Sequence, residues 1–135
     1  MKRSGTEPAA DRLMSTNANE LRARTKRFAF DIISLVKRLP RNIATEAVAR
    51  QLIRAGTGVA SNHRAAGRSR SKREFVARLG VVLEEADESE FWLEALVVCE
   101  SALGGSVAPL RKEAGELRAI FWQSLRTARV GEGKL

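Results

Sequence analysis

The stretch RAGTGVASNHRAAGRS, residues 54–69, contains small residues spaced like those of a phosphate-binding loop. In a dinucleotide-binding loop, glycines allow a tight turn after a strand, and the helix that begins there directs backbone N–H groups at the pyrophosphate. In this chain Ser61 stands at the third glycine position, no Gly-Lys-Ser/Thr follows, and helical apolar spacing runs unbroken through Gly56. The stretch is therefore predicted to lie inside a helix, where its small residues let another helix approach closely.

The acidic run Glu84-Glu85-Ala86-Asp87-Glu88-Ser89-Glu90 has the composition of a carboxylate metal site. Di-metal sites in helical bundles combine inward-facing Glu residues with Glu-x-x-His motifs. The single histidine, His63, has no Glu three residues before it, and the helical spacing directs Ala86 inward and the carboxylates outward. The run instead predicts ion pairs with the preceding helix, between Arg50 or Arg54 and Glu85, Glu88 or Glu90.

No arrangement of residues predicts nucleophilic or acid–base catalysis. Cys99 follows the apolar residues Leu96, Val97 and Val98, which is typical of a packed thiol, and the one histidine has no convincing acid partner. We therefore expect a protein that is not an enzyme and that uses no cofactor and no metal. A single cysteine cannot form an internal disulfide, so the cytoplasm is the expected location. No membrane association is expected, since no run reaches the roughly 18 apolar residues of a membrane span.

Positive charge is concentrated in the first part of the chain. Residues 1–80 hold 18 Lys/Arg against 6 Asp/Glu, whereas residues 81–135 hold 6 against 10, and the whole chain has a formal net charge of +8. This asymmetry favours an anionic partner or a self-complementary assembly. The alternative is that these charges are ordinary solvated helix faces.

Four helices are predicted from apolar residues that recur in steps of three and four. The first follows Asn19 as its N-cap and ends before Pro40. The second runs from about residue 42 to residue 67. The third opens at Ser71-Lys72-Arg73-Glu74, which has the S-x-x-E form of a capping box, and the fourth starts near Ser106, after Gly104-Gly105 has ended the third.

Short connections make neighbouring helices antiparallel, and no segment shows the alternating pattern of a strand. The predicted fold is therefore all-α, an up-down-up-down four-helix bundle. The predicted organisation is a flexible leader over residues 1–18, the bundle over 19–129 and a flexible tail over 130–135.

One polar residue interrupts the predicted core stripe of the second helix. The stripe consists of Ala44, Val48, Leu52, Ala55, Val59, Asn62 and Ala66. Because buried amides need hydrogen-bond partners, Asn62 is expected to bond the backbone of a neighbouring helix or a side chain such as Ser89.

Up-down topology brings the start of the first helix, the turn between the second and third helices, and the end of the fourth helix to one end of the bundle. We call this end the basic pole. Helix capping accounts for Arg64 and Arg68 but not for the whole set. A sequence-independent, salt-sensitive contact with an RNA or DNA backbone is the resulting hypothesis, without base-specific reading because no aromatic ladder accompanies the charges. The cations of the pole are Arg22, Arg24, Lys26, Arg27, Arg64, Arg68, Arg70, Lys72, Arg73, Arg126 and Arg129.

About residues 22–125 resemble the small bacterial four helix bundle proteins, also called 23S rRNA intervening-sequence proteins. The accessory variability proteins of diversity-generating retroelements share that fold. The matching residues are Arg54-Ala55, Val59-Ala60-Ser61-Asn62, Arg70-Ser71-x-x-Glu74-Phe75, Glu84-Glu85-Ala86-Asp87-Glu88-Ser89 and Phe91-Trp92-Leu93-Glu94.

The resemblance implies an antiparallel bundle that assembles as a ring-like homopentamer with a basic surface, and it implies structural roles for Arg54, Asn62, Phe75, Glu85, Ser89 and Trp92. The accessory relatives bind a reverse transcriptase and nucleic acid, so a protein-interaction or scaffold role is the alternative to direct nucleic-acid binding. One departure matters: where many members read Asn-Ile-Ala-Glu-Gly, this chain reads Asn62-His63-Arg64-Ala65-Ala66. The role of that Glu is therefore not transferred.

Overall fold

A computed structural model describes the backbone of residues 9–131 and the side chains of residues 18–130. The four helices are α1 (Ala9–Lys37), α2 (Ile43–Ala66), α3 (Lys72–Cys99) and α4 (Gly104–Gly131), with a 3-10 turn at Ser101–Leu103 before α4. Within residues 9–131 there is no strand. The prediction of an all-α chain with four helices is confirmed.

Each helix packs on the next along the chain, and α4 returns to α1, so that the four helices enclose one core. The α1–α4 interface is the least extensive of the four. Branched and aromatic side chains fill the centre at the three- and four-residue steps that direct them to one side of each helix. The largest fully buried side chains are Phe28, Ile32, Leu35, Leu52, Val59, Val82, Leu93, Leu96, Val107, Leu117 and Phe121.

Helices α2 and α3 both begin at a side-chain cap, and the cap of α3 at Ser71 is the one that the sequence predicts. The side chain of Asn42 accepts a hydrogen bond from the backbone N–H of Thr45 at 2.9 Å, and the hydroxyl of Ser71 accepts one from Glu74 N–H at 3.1 Å. The carboxylate of Glu74 accepts in return from the N–H of Arg70, at 3.4 Å. These bonds satisfy N–H groups that have no partner within the helix.

The predicted start of the first helix is wrong. Helix α1 begins at Ala9, so Asn19 lies inside it and is not an N-cap. The segment from Ala9 to Ala18 is helical rather than an irregular leader, because it contains Ala, Leu, Met and Arg, which favour helix, and neither Gly nor Pro. The leader prediction for residues 1–8 lies outside the described residues.

The predicted end of the third helix is also wrong. Helix α3 stops at Cys99, and Glu100 leaves the helix with an extended backbone, at φ −152°. Gly104, with φ −50°, is helical and opens α4 instead of ending α3. Helix α4 continues to Gly131, so the first two residues of the predicted tail are helical and residues 132–135 lie outside the described range.

The core stripe of α2 is shifted by one residue near its start. Ala44 is exposed and Val48 half-buried, whereas Thr45 and Ala49 are buried. Thr45 and Ala49 face the end of α1, where they share a surface depression with Val36. The stripe drifts because α2 must face α1 at its start as well as the core further along.

The predicted hydrogen bond between Asn62 and Ser89 is absent. Asn62 is half-buried and has no hydrogen bond to residues 18–130, while the hydroxyl of the buried Ser89 donates to the carbonyl of Glu85, 2.8 Å away. A serine satisfied within its own helix needs no partner from another helix. The centre of the α2 stripe at this level is occupied by Val59 and Ala66, which leaves Asn62 at its edge.

Gly56 permits close approach between α1 and α2, as predicted, and Gly58 makes room for the carboxylate of Glu85. A Cβ atom on Gly56 would lie 2.9 Å from Cγ1 of Ile32 in α1, and one on Gly58 would lie 2.9 Å from the carboxyl carbon of Glu85 in α3. Both distances are shorter than any ordinary contact between carbon atoms. The glycines belong to helix packing and not to a loop.

Candidate nucleic-acid interface

The cations of the basic pole come from three parts of the chain, and those of α1 lie near the middle of that helix rather than at its predicted start, because α1 begins at Ala9. Nη2 of Arg22 in α1 lies 3.9 Å from the position of a Cβ on Gly67, at the end of α2. Arg126 and Arg129 of α4 line a groove together with Gly80 of α3. Arg22 is thus close to the α2–α3 turn, and the last turns of α4 lie beside the first half of α3.

Ten of the eleven predicted cations are exposed. Within residues 18–130, none of the ten has a carboxylate oxygen within 4.0 Å. Exposed, uncompensated charges attract an anion without first breaking an internal ion pair. The ten are Arg22, Lys26, Arg27, Arg64, Arg68, Arg70, Lys72, Arg73, Arg126 and Arg129.

Arg24 differs from the other ten. It donates to Glu113 from Nε and Nη2, each at 2.7 Å, and to Glu116 from Nη2 at 2.6 Å. The hydrogen bonds that Arg24 donates to Glu113 raise the pKa of Arg24 above its ordinary value, against the opposing effect of burial. With two carboxylates on one guanidinium, Arg24 connects α1 to α4 and contributes little positive potential to the pole.

Arg78 has a structural role that the sequence analysis missed. Its Nη1 donates to the carbonyl of Ala65 at 2.6 Å, and its Nη2 lies 3.3 Å from the carboxylate of Glu74. The carbonyl of Ala65 also accepts from the backbone N–H of Arg68 at 3.0 Å, so Arg78 adds a second hydrogen bond there and joins the start of α3 to the last turn of α2. The sequence shows only that Arg78 follows Glu74 by four residues, which predicts an ion pair within α3. It does not show that Arg78 reaches a carbonyl of α2.

The predicted pairing of Arg50 and Arg54 with the acidic run is wrong. No carboxylate lies within 4.0 Å of either arginine among the described side chains, and Glu90 instead accepts from Nε of Arg118 in α4 at 2.8 Å. Arg54 acts on Glu85 only at longer range. Burial and the neighbouring Glu88 outweigh it and raise the pKa of Glu85. The acidic run divides between two interfaces, since Glu85 lies against α2 and Glu90 against α4.

His63 lies beneath the pole in a partly apolar environment. Its ring centroid is 5.5 Å from that of Phe121, and its Nδ1 is buried without a partner among the described residues. Burial, with a smaller contribution from the charge of Arg22, lowers the pKa of His63. The imidazole is therefore neutral near pH 7 and belongs to the packing of the bundle.

The two aromatic residues in the resemblance motifs are partly buried. Phe75 packs against the edge of the core, and so does Trp92, whose ring meets Phe91 edge-on with centroids 4.8 Å apart. Both therefore contribute to packing.

Trp122 is an aromatic residue near the pole that the sequence analysis did not single out. It is 51% exposed, and Cζ of Arg126 lies 5.3 Å from its ring centroid. On α1, Nζ of Lys26 lies 5.8 Å from the centroid of Phe30. Two of the predicted cations thus have an aromatic neighbour four residues away on the same helix. A spacing of four residues does not by itself show whether the aromatic residue is exposed beside the cation or buried in the core.

Within the described residues, no group of three or more His, Cys, Asp or Glu side chains could hold a metal ion. None of the helices in this part of the chain is both long and apolar enough to cross a membrane. Cys99 is half-buried with a free thiol.

No protein-family model matches this sequence, and no curated protein matches it. One similar solved structure is that of a protein of unknown function from the S23 ribosomal protein family of Bacteroides thetaiotaomicron, determined at 1.70 Å resolution. The two chains share 26% sequence identity with a TM-score of 0.71, over 81% of this chain and 97% of that chain. The protein described here is therefore similar to a helical bundle of that family over nearly the whole of the other chain.

Proposed function

We propose that this protein is a non-enzymatic, homo-oligomeric four-helix bundle that binds the backbone of RNA or DNA through its basic pole. The observation that carries the proposal is the set of ten exposed cations without a carboxylate partner among the described residues. Backbone binding of this kind is driven by the release of counterions from the phosphates, so it needs positive charge rather than a shaped pocket.

The distribution of carboxylates supports this assignment. Glu113 and Glu116 pair with Arg24, Glu94 pairs with Arg111, and Glu90 pairs with Arg118. Near the pole, Glu74 is held by Arg78. Six of the thirteen carboxylates within residues 18–130 are thus engaged by Arg24, Arg78, Arg111 or Arg118, and none of these six pairs with one of the ten exposed cations of the pole.

The similar solved structure supports the choice of RNA as the first ligand to test. Its family is described as a ribosomal protein family, although the function of that protein is itself unknown. Fold similarity is an analogy for function. Nucleic-acid binding is therefore inferred from the charge of the pole. We also propose that the chain is related to the 23S rRNA intervening-sequence proteins.

The test is binding of the full-length chain to a generic structured RNA between about 50 and 200 mM salt. In one variant Arg68, Arg70, Lys72 and Arg73 are replaced by Glu. In the matched control, four exposed cations toward the other end of the bundle, Lys37, Arg38, Arg41 and Arg50, are replaced by Glu. We expect affinity to fall steeply with salt, and the pole variant to lose about one unit of salt slope per lost contact.

The proposal fails if affinity is independent of salt, or if the two variants lose affinity equally. Equal loss would mean that only net charge matters, because both variants change it by the same amount. Circular dichroism of both variants checks that each remains helical.

A protein-interaction or scaffold module, such as an accessory subunit of a reverse transcriptase, is the second candidate. Phe91 and Val98 on α3 are 58% and 88% exposed, and their seven-residue spacing places them on one outward face. Large exposed apolar side chains favour contact with another protein surface. The solution mass, measured at low and high salt, tests the assembly: a monomer under both conditions excludes homo-oligomerisation.

A further inference from the structure

We propose that the groove beside Trp122 holds an unpaired base of the bound strand, so that the basic pole prefers single-stranded or looped nucleic acid to duplex. This inference rests on the proposed function, and it identifies the class of nucleic acid that the pole binds. It differs from the sequence-based expectation, which predicted backbone contacts alone.

The groove lies between the first half of α3 and the last turns of α4. It has a volume of about 500 Å³, within the usual range of small-ligand sites. Gly80 contributes no side chain, and a Cβ placed on it would meet no atom within 4 Å. The residues that line the groove are Gly80, Leu83, Glu84, Trp122, Leu125, Arg126 and Arg129.

Trp122 gives the groove a flat surface for stacking. About half of its surface is exposed, which is unusual for the largest apolar side chain in the absence of a partner. Unpaired bases stack on aromatic rings and on guanidinium planes, and neither interaction depends on which base is present. Trp122 and Arg126, 5.3 Å apart, supply one surface of each kind.

The charges around the groove separate the base from its phosphate. Arg126 and Arg129 are both exposed and have no carboxylate within 4.0 Å among the described residues, so they can bind a phosphate beside the ring. Glu84 also lines the groove, and its carboxylate repels a phosphate. The neutral part of a nucleotide therefore fits inside the groove, while its phosphate fits at the two arginines.

A duplex cannot use this site in the same way. Its bases are stacked within the helix, and inserting one into the groove would require unpairing it, which costs free energy. A single strand or a loop presents its bases without that cost. The cations of the pole attract unpaired strands and duplexes alike. Stacking in the groove therefore adds affinity for unpaired strands only.

The experiment measures binding of the full-length chain to a labelled oligonucleotide of about 12 unpaired nucleotides and to a duplex of the same length. The variants are Trp122→Ala and Trp122→Phe, together with Gly80→Leu, which fills the groove while keeping every charge and the indole. Gly80→Ala is the matched control for Gly80→Leu. Circular dichroism confirms that each variant is folded.

We expect Trp122→Ala and Gly80→Leu to weaken binding of the unpaired strand by about fivefold to a hundredfold, and that of the duplex by less than about twofold. Trp122→Phe keeps a ring and should retain most of the affinity. Tryptophan fluorescence should be quenched by the unpaired strand in the wild type but not in Trp122→Phe, because only Trp92 remains in that variant.

The inference is overturned if Trp122→Ala binds the unpaired strand as the wild type does, or if it loses equal affinity for both ligands. A wild-type chain that binds neither oligonucleotide contradicts the proposed function itself. The two failures are therefore distinguishable.

Discussion

Arg24 in α1 donates two hydrogen bonds to the carboxylate of Glu113 in α4, with Nε 2.7 Å from Oε2 and Nη2 2.7 Å from Oε1. This paired geometry fixes the guanidinium and the carboxylate in one plane, as single-contact ion pairs do not. It lies at the least extensive of the four helix interfaces, where little other packing holds α1 against α4. Arg24 should therefore influence stability and not nucleic-acid binding.

Replacing Arg24 with Ala should lower the free energy of unfolding by about 1 kcal/mol, at the upper end for a partly exposed ion pair. RNA affinity should stay within about twofold, since its charge is already compensated by Glu113 and Glu116. Urea unfolding and a binding titration measure the two quantities. Arg27→Ala is the control and should show the opposite pattern, because Arg27 is an exposed cation of the same helix with no carboxylate within 4.0 Å among the side chains of residues 18–130. A loss of affinity in Arg24→Ala equal to that in Arg27→Ala would contradict the assignment.

Replacing Gly56 with Ala should destabilise the bundle although alanine is the better helix former. The new methyl group would meet Cγ1, Cγ2 and Cβ of Ile32 at 2.9 to 3.3 Å, and Ile32 is fully buried and cannot move aside. Overpacking costs about 1–3 kcal/mol, which exceeds the gain of about 1 kcal/mol in helix propensity. Gly80→Ala is the control, because its methyl group meets nothing and should stabilise α3. In an Ile32→Ala background the penalty at Gly56 should disappear; its persistence would show that Ile32 is not its cause.

His63 should make the bundle less stable as the pH falls below its ordinary pKa of 6.5. Its pKa in the folded state is lowered, so below pH 6.5 the unfolded chain binds more protons than the folded chain, and stability decreases until the folded pKa is reached. The limiting slope is about 1.4 kcal/mol per pH unit. Urea unfolding at about pH 7.5 and about pH 5.5 measures the change. His63→Gln should remove most of this difference, and an unchanged pH dependence in that variant would assign it to another group.

Glu85 should have the opposite pH dependence. Its folded-state pKa is raised above the ordinary 4.5, so the ionised carboxylate is disfavoured in the fold and stability from this group increases as the pH falls toward 4.5. Glu85→Gln keeps the shape against Gly58 and removes the charge. It should therefore stabilise the bundle near pH 7 and have little effect near pH 4. Glu94→Gln, which breaks the pair with Arg111, is the control and should not stabilise at either pH. A destabilised Glu85→Gln at pH 7 would mean that the attraction to Arg54 dominates.

The features that the sequence predicted correctly are those determined locally. The capping box at Ser71 needs only its own first turn, and the continuous apolar spacing through Gly56 identifies one helix without knowledge of its neighbours. Apolar residues that recur in steps of three and four likewise predict the number of helices. The glycine pair at Gly104 misled because an extended residue, Glu100, ends α3 before it.

Features that depend on how the helices rotate against one another were not predictable. Each residue turns a helix by about 100°, so neighbouring carboxylates in the acidic run face different helices. Glu85 therefore lies against Gly58 while Glu90 reaches Arg118. The exposure of Trp122 was not predictable for the same reason. The sequence of α4 does not show that Trp122 lies opposite Gly80 of α3, whose missing side chain leaves a groove.

The weak α1–α4 interface also has a kinetic consequence. The three more extensive interfaces join helices that follow one another along the chain, and α1–α4 alone joins segments from its two ends. A chain dominated by such short-range contacts has a low contact order and is expected to fold within microseconds to milliseconds. Closure of α1 onto α4 carries the largest loop entropy, so it should be the last step of folding and the first to reverse in a partial opening. Arg24 would then act mainly on the rate of unfolding.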